Sequence, residues 1–200
     1  MKVIPFSERV RKNRSGEEKT FLYRFCNKSD LESILLLQEA VVENLPHKEL
    51  FVVTSREELE ESLDKDVCIC AVCDDRIVGF SLIIANRVTP RSLGHYLEYS
   101  DEQLQRCVSY DTTFVHPSYR GFGLQRRFIS LRDRQTRRLG AEEALMSISP
   151  DNLHSLRNAT GHGFQIIDRQ AMYHGVSRFI LRKSFGKTRL REIRRRVKDL

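Results

Sequence analysis

The chain has no apolar run long enough to cross a bilayer. Its longest purely apolar stretches, such as 67–73 and 83–85, fall far short of the roughly 20 residues a helical span needs. Its N-terminus, Met1-Lys2-Val3-Ile4-Pro5-Phe6, lacks an apolar stretch of signal-peptide length, so the protein is expected in the cytoplasm with no membrane span. Internal repeats and low-complexity stretches are also lacking. Metal spacing is missing too. Cys68, Cys70 and Cys73 crowd into one apolar segment, yet no second Cys/His pair at zinc spacing accompanies them. On a strand, Cys70 and Cys73 point to opposite faces. The five cysteines are therefore expected to be reduced thiols acting as small apolar fillers. The six histidines are scattered, and His95 is the best placed of them to touch a substrate.

What is present describes one ordinary domain. Two hundred residues with 40% apolar content can bury a continuous core without disulfides. The net charge of +7 is concentrated at one end. From Arg182 onwards nine basic residues face only Glu192 and Asp199, which leaves 25 basic against 25 acidic residues in the rest of the chain. Leu190, Ile193, Val197 and Leu200 recur there at three- and four-residue spacing between arginines, the pattern of a basic amphipathic helix. Such a helix could meet nucleic acid, an anionic membrane or an acidic partner. The plainer reading packs its apolar edge on the domain or on a second subunit in a homodimer.

Between the ends, strands and helices alternate. Residues 20–26 read as a first strand and Ser29-Asp30-Leu31-Glu32 as a capped helix start. Leu31, Ile34, Leu35, Gln38 and Val42 form the helix's apolar stripe, ending near Leu45-Pro46. A second capped start lies at Thr54-Ser55-Arg56-Glu57. Residues 67–73 and 76–87 are β-rich runs joined by Asp74-Asp75, an antiparallel hairpin. Residues 89–105 form a long loop or a loop with a short helix, the type of segment that often carries function. Further strands are expected at 107–115, 142–149, 164–167 and 172–182, with helices at 121–139 and from Asp151 or Asn152 to about His162. The order is mixed α/β.

The most informative stretch is Phe114-Val115-His116-Pro117-Ser118-Tyr119-Arg120-Gly121-Phe122-Gly123-Leu124, where a strand ends and glycines open a helix. The first amides of a helix lack intrahelical partners and sit at the positive end of its dipole, so a diphosphate can satisfy them. Glycine lets backbone approach such a ligand without a Cβ in the way. A tight strand-to-helix turn is the alternative reading of the same residues.

Val-x-Pro-x-x-Arg-Gly-x-Gly-Leu, spanning Val115 to Leu124, resembles the acyl-CoA-binding motif of the GNAT N-acetyltransferases. Downstream, Asn152-x-x-Ser155 with Gly163-Phe164 resembles that family's later motif. The resemblance spans about residues 20–182, leaving 1–19 as an N-terminal extension and 183–200 as a basic tail. It implies an α/β fold with a mixed central sheet of the GNAT acyl-CoA N-acyltransferase type, helices on both faces and a basic C-terminal helix. It also implies acetyl-CoA as co-substrate and acyl transfer to an amine-bearing substrate. The cofactor residues it implies are Phe114, Val115, Arg120, Gly121, Phe122, Gly123, Leu124, Gln125, Asn152 and Ser155. Three positions depart from the family. Gln125 stands where glycine or alanine is frequent, Ser109 where a glutamate base is frequent, and Ala159 where a tyrosine acid is frequent. Asp111 on the motif strand and Glu98 in the long loop are the carboxylates left as candidate catalytic bases. A catalytically weak acyl-CoA-binding module is the alternative function.

Overall fold

The computed structural model describes residues 4–12, 15–45, 51–173 and 175–186. Eight strands among them form one sheet: β1 (Phe6–Arg11), β2 (Glu18–Phe25), β3 (Val67–Cys73), β4 (Arg76–Ile84), β5 (Cys107–Val115), β6 (Glu143–Ile148), β7 (Gln165–Met172) and β8 (Val176–Ser184). Their order is β1-β2-β3-β4-β5-β6-β8-β7. Every neighbouring pair is antiparallel except β5 and β6.

Side-chain alternation along the strands gives the sheet two apolar faces. On one, Ile69 and Ala71 of β3 and Phe21 and Tyr23 of β2 pack with Phe128 and Leu131 of α4 (Leu124–Arg138). On the other, Cys68 of β3 and Phe80, Leu82 and Ile84 of β4 pack with α1 (Leu31–Glu43) and with Leu59 of α2 (Arg56–Lys65). A side chain as completely buried as Phe128 contributes about 2 kcal/mol of hydrophobic stabilisation. Gly79 of β4 makes room for it, because a Cβ there would lie 2.9 Å from the Phe128 ring. The expected layering, helices on both faces of a mixed sheet, is the observed one. No helix among the described residues is long and apolar enough to cross a membrane.

Local chemistry explains the joints. Asp74 and Asp75, both at positive φ (50° and 59°), turn β3 into β4 as the sequence suggests. Ser55 and Glu58 form the capping box of α2, whereas the first helix is preceded by a 3-10 turn capped by Asn27 with Asp30, not by Ser29. The buried stripe of α1 is Leu31, Ile34, Leu37, Gln38 and Val41, so Leu35 and Val42 of the expected stripe stand at its margin. Gln38 donates to the Thr54 carbonyl at 2.9 Å and accepts from the Thr54 amide at 3.0 Å, fixing the chain ahead of α2 to α1.

Several boundaries differ from the sequence reading. Residues 1–19, read as an extension, include β1, which pairs with β2 at the sheet edge. Its alternating Ser, Glu and Arg residues disguise a strand that is only half-buried on one side. The expected last strand at 172–182 begins at Val176, because Tyr173 (φ 49°) and Gly175 (φ 99°) turn the chain there. β8 continues to Ser184, and Phe185 is buried in the core. The basic C-terminal helix expected at 190–200 lies outside the described residues.

Candidate functional site

β5 and β6 are paired only from Cys107↔Glu143 to Tyr110↔Met146. Beyond that point the two parallel strands part. On its other side β5 carries one extra residue between Tyr110 and Thr113, opposite Ser81 to Ile83 of β4. Such a bulge bends a strand and turns its backbone out of the ladder. The parting opens a cavity of about 320 Å³ lined from both faces of the sheet. The irregularity falls at Asp111 and Thr112 of β5.

The glycine loop opens α4, whose Gln125 lines this cavity. Gly121 (φ 90°) and Gly123 (φ 76°) both occupy the left-handed region that favours glycine. Gly123 is the N-cap of α4, and no side chain caps the helix there. Phe122 and Leu124 are buried beside Phe21 and anchor the loop, while Arg120 and Arg126 are exposed beside it. Uncapped amides, a helix dipole and two guanidinium groups make a cradle for an anion. The end of β1 adds Lys12, which the sequence did not single out. A Cβ on Gly121 would meet its Cε at 3.2 Å.

α4 continues inwards with Gln125, Ile129 and Arg132, spaced on one helical face and lining the cavity. Facing them is α5 (Leu153–Thr160), capped by Asn152, whose Oδ1 accepts from the Ser155 amide at 3.0 Å. Gln125 donates to Ser155 Oγ at 2.8 Å and accepts from Asn158 Nδ2 at 2.6 Å, so the residue that departs from the motif ties α4 to α5. Gln125, Asn152 and Ser155 are thereby brought together on the cavity wall. The side chains of Phe114 and Val115 are not in the cavity. Phe114 is buried against Phe51 and Phe80, and Val115 packs at the edge of the opposite cluster. Strand alternation directs them into the core, which leaves only their backbone for a ligand.

On the opposite face, Asp111 and Arg91 meet at 2.8 Å. Arg91 also donates to Ser62 Oγ at 2.6 Å and the Glu58 carbonyl at 3.1 Å, so the pair is moored to α2. Burial pushes the Asp111 carboxyl above its ordinary value, and the Arg91 guanidinium opposes that shift. Glu98 does not reach the cavity. It is exposed, at φ 54°, as the C-cap of the 3-10 turn Leu93–Leu97. Ser109 is buried and its Oγ accepts from the Leu93 amide at 2.8 Å, which holds the 89–97 segment against β5. Ala159 lines the cavity without a proton to donate. His95 turns to the Thr89 carbonyl at 2.9 Å, outside the cavity.

Four cavity residues, Arg91, Tyr173, Arg132 and Arg178, were not singled out from sequence. The Tyr173 hydroxyl lies 3.2 Å from Ser147 Oγ, and burial raises its pKa. Arg132 is 4% exposed, and its guanidinium lies 4.4 Å from the centre of the Tyr110 ring. No local spacing signals these residues, because each comes from a different element.

No protein-family model matches the chain, and no curated protein matches it in sequence. Solved structures do match it in shape. A Salmonella typhimurium protein assigned as an acetyltransferase and solved with its cofactor acetyl-CoA is 16% identical, covers 82% of this chain and 93% of its own, and has a TM-score of 0.62. A GNAT-family acetyltransferase of Streptococcus pneumoniae is 15% identical, with 82% and 99% covered and a TM-score of 0.64. The ribosomal-protein-alanine N-acetyltransferase of Brucella melitensis is 17% identical, with 82% and 99% covered and a TM-score of 0.64. The chain has the fold of the GNAT acetyltransferases.

Proposed function

We propose that the protein is an acyl-CoA-dependent N-acyltransferase that uses acetyl-CoA and an amine acceptor. The observation that carries this reading is the cavity at the parting of β5 and β6, continuous from the α4–α5 side to the face that bears Arg91 and Asp111. A thioester arriving along one face and an amine along the other can meet there without either crossing the core.

The residues present fit such a cofactor. The first amides of α4, Arg120 and Arg126 would hold the diphosphate, and Gln125, Asn152 and Ser155 would line the pantetheine arm. When bound, acetyl-CoA supplies an acyl thioester whose C–S bond breaks as the amine forms its N–C bond, the amine's proton ending on sulfur. The chain's own residues handle that proton and the one the acceptor ammonium must lose before it can attack. Asp111 spends Oδ2 on Arg91, which leaves Oδ1 to take a proton from the acceptor ammonium. The half-buried Tyr173 hydroxyl, held in its protonated form, is the candidate donor in the same cavity. Unpaired backbone beside the bulge provides the polar groups for the developing oxyanion.

A second reading, an acyl-CoA-binding module whose basic tail docks on nucleic acid or an acidic partner, is favoured by one fact. Ser109 and Ala159 supply neither base nor acid, and the Ser109 hydroxyl is already engaged with Leu93. Titration calorimetry with acetyl-CoA, followed by free-thiol release across a panel of small and peptide amines, separates the two. Turnover with any amine supports the enzyme, binding without turnover supports the module, and absence of binding removes both.

A further inference from the structure

We infer that the cavity recognises a carboxylate through Arg132 and Arg178, carried either by the acyl group or by the acceptor. The inference rests on the acyltransferase reading and adds a substrate class to it. Arg132 sits seven residues beyond Gln125 on α4, about 10 Å deeper at 1.5 Å per residue. It is 4% exposed, lines the cavity, and its Nε has no hydrogen-bond partner among the described residues. Its guanidinium rests on the Tyr110 ring. Burial lowers its pKa to about 10, so it is still charged at neutral pH.

Among the described residues, the neighbouring carboxylates are committed elsewhere. Asp133 accepts from Tyr110 at 2.9 Å through one oxygen and from Lys183 at 2.5 Å through the other. Asp111 is paired with Arg91 at 2.8 Å, and Glu58 stands 3.9 Å from that same guanidinium. Across the cavity a second buried arginine, Arg178, reaches the Ser147 carbonyl at 3.4 Å and lies 5.7 Å from the Tyr173 ring. Three arginines thus line a space that holds two carboxylates, Glu58 and Asp111. A desolvated guanidinium nitrogen without an acceptor is unfavourable. A planar carboxylate is the ligand whose geometry its donor fork fits.

Two matched pairs of probes test this by calorimetry, with no need for turnover. Succinyl-CoA against acetyl-CoA examines the acyl group, and N-acetylglycine against N-acetylglycinamide examines the acceptor as product. One pair should favour its carboxylate member by about tenfold or more, and Arg132→Gln should abolish that preference while affinity for acetyl-CoA is retained. Preference in the first pair assigns the carboxylate to the donor, in the second to the acceptor. Equal binding within both pairs, or a preference that survives Arg132→Gln, overturns the inference and leaves the acyltransferase reading intact. If no acyl-CoA binds, that reading fails, and the N-acetylglycine pair alone still decides about the carboxylate. Arg132→Met guards against a folding artefact. With no internal hydrogen bond to lose at Nε, it should melt at or above the parent temperature, whereas a clear fall in Tm would make Arg132 structural.

Discussion

The two halves of the cavity are built differently. The α4 side is assembled from the glycine loop and α4, which contributes Gln125, Ile129 and Arg132 to the cavity wall, with a supplement from Asn152, Ser155 and Ala159. The opposite side draws Glu58 from α2, Arg91 from the segment after β4, Asp111 from β5, Tyr173 from the β7–β8 turn and Arg178 from β8. The first half is a backbone device, set by glycine dihedrals and helix polarity. The second is a side-chain device, in which each group depends on partners far away in the chain. Damage to the two should therefore read out in different quantities.

The largest effect is expected at the backbone device. Gly123→Glu places a side chain at a left-handed φ and a negative charge at the α4 N-terminus, and should weaken acetyl-CoA binding by about 10²-fold or more. Gly123→Asn tolerates the dihedral and adds no charge, so its loss should be much smaller. Calorimetry on both folded variants checks this, and parent-like affinity in Gly123→Glu would move the cradle elsewhere.

Next comes the side-chain device. Asp111→Asn should lower turnover by about 10² while acetyl-CoA affinity stays within a few-fold. The pH profile sharpens the point. Because burial raises the Asp111 pKa, activity should rise with pH as its proton is lost above the ordinary carboxylate range. Arg91 holds that pKa down, so Arg91→Met should push the rising limb to higher pH. A rate unaffected by Asp111→Asn, or a limb that does not move, removes the pair from proton transfer.

Tyr173→Phe is expected to act more weakly, with a turnover loss of about three- to tenfold, since a thiolate is a competent leaving group. An unchanged rate would reduce Tyr173 to packing against Tyr96 and Arg178. The smallest effect should follow deletion of 188–200, which removes none of the described cavity residues. Acetyl-CoA affinity and Tm should stay at parent values, and a large loss of stability would place the basic tail in the core.

The same division explains what could be read in advance. The strand and helix order, the Asp74-Asp75 hairpin, the α2 capping box and the glycine loop all depend on residues within about ten positions of each other, and their spacing records them. Gln125 was legible as a departure, but its hydrogen bonds to Ser155 and Asn158 were not. Glu98 and Asp111 looked alike as unassigned carboxylates. One is an exposed cap, the other a half-buried partner of Arg91.

By itself, then, the sequence determined the alternation of apolar faces, the turns and the glycine-opened helix start, because dihedral preference, helix dipole and side-chain period are local properties. Tertiary structure alone decided where β5 and β6 part, which carboxylates face the cavity, and that Arg132 would be buried without a partner for Nε among the described residues. Those outcomes depend on the pairing of strands and the crossing of helices distant in the chain, and on desolvation, which is defined only once the neighbours are in place.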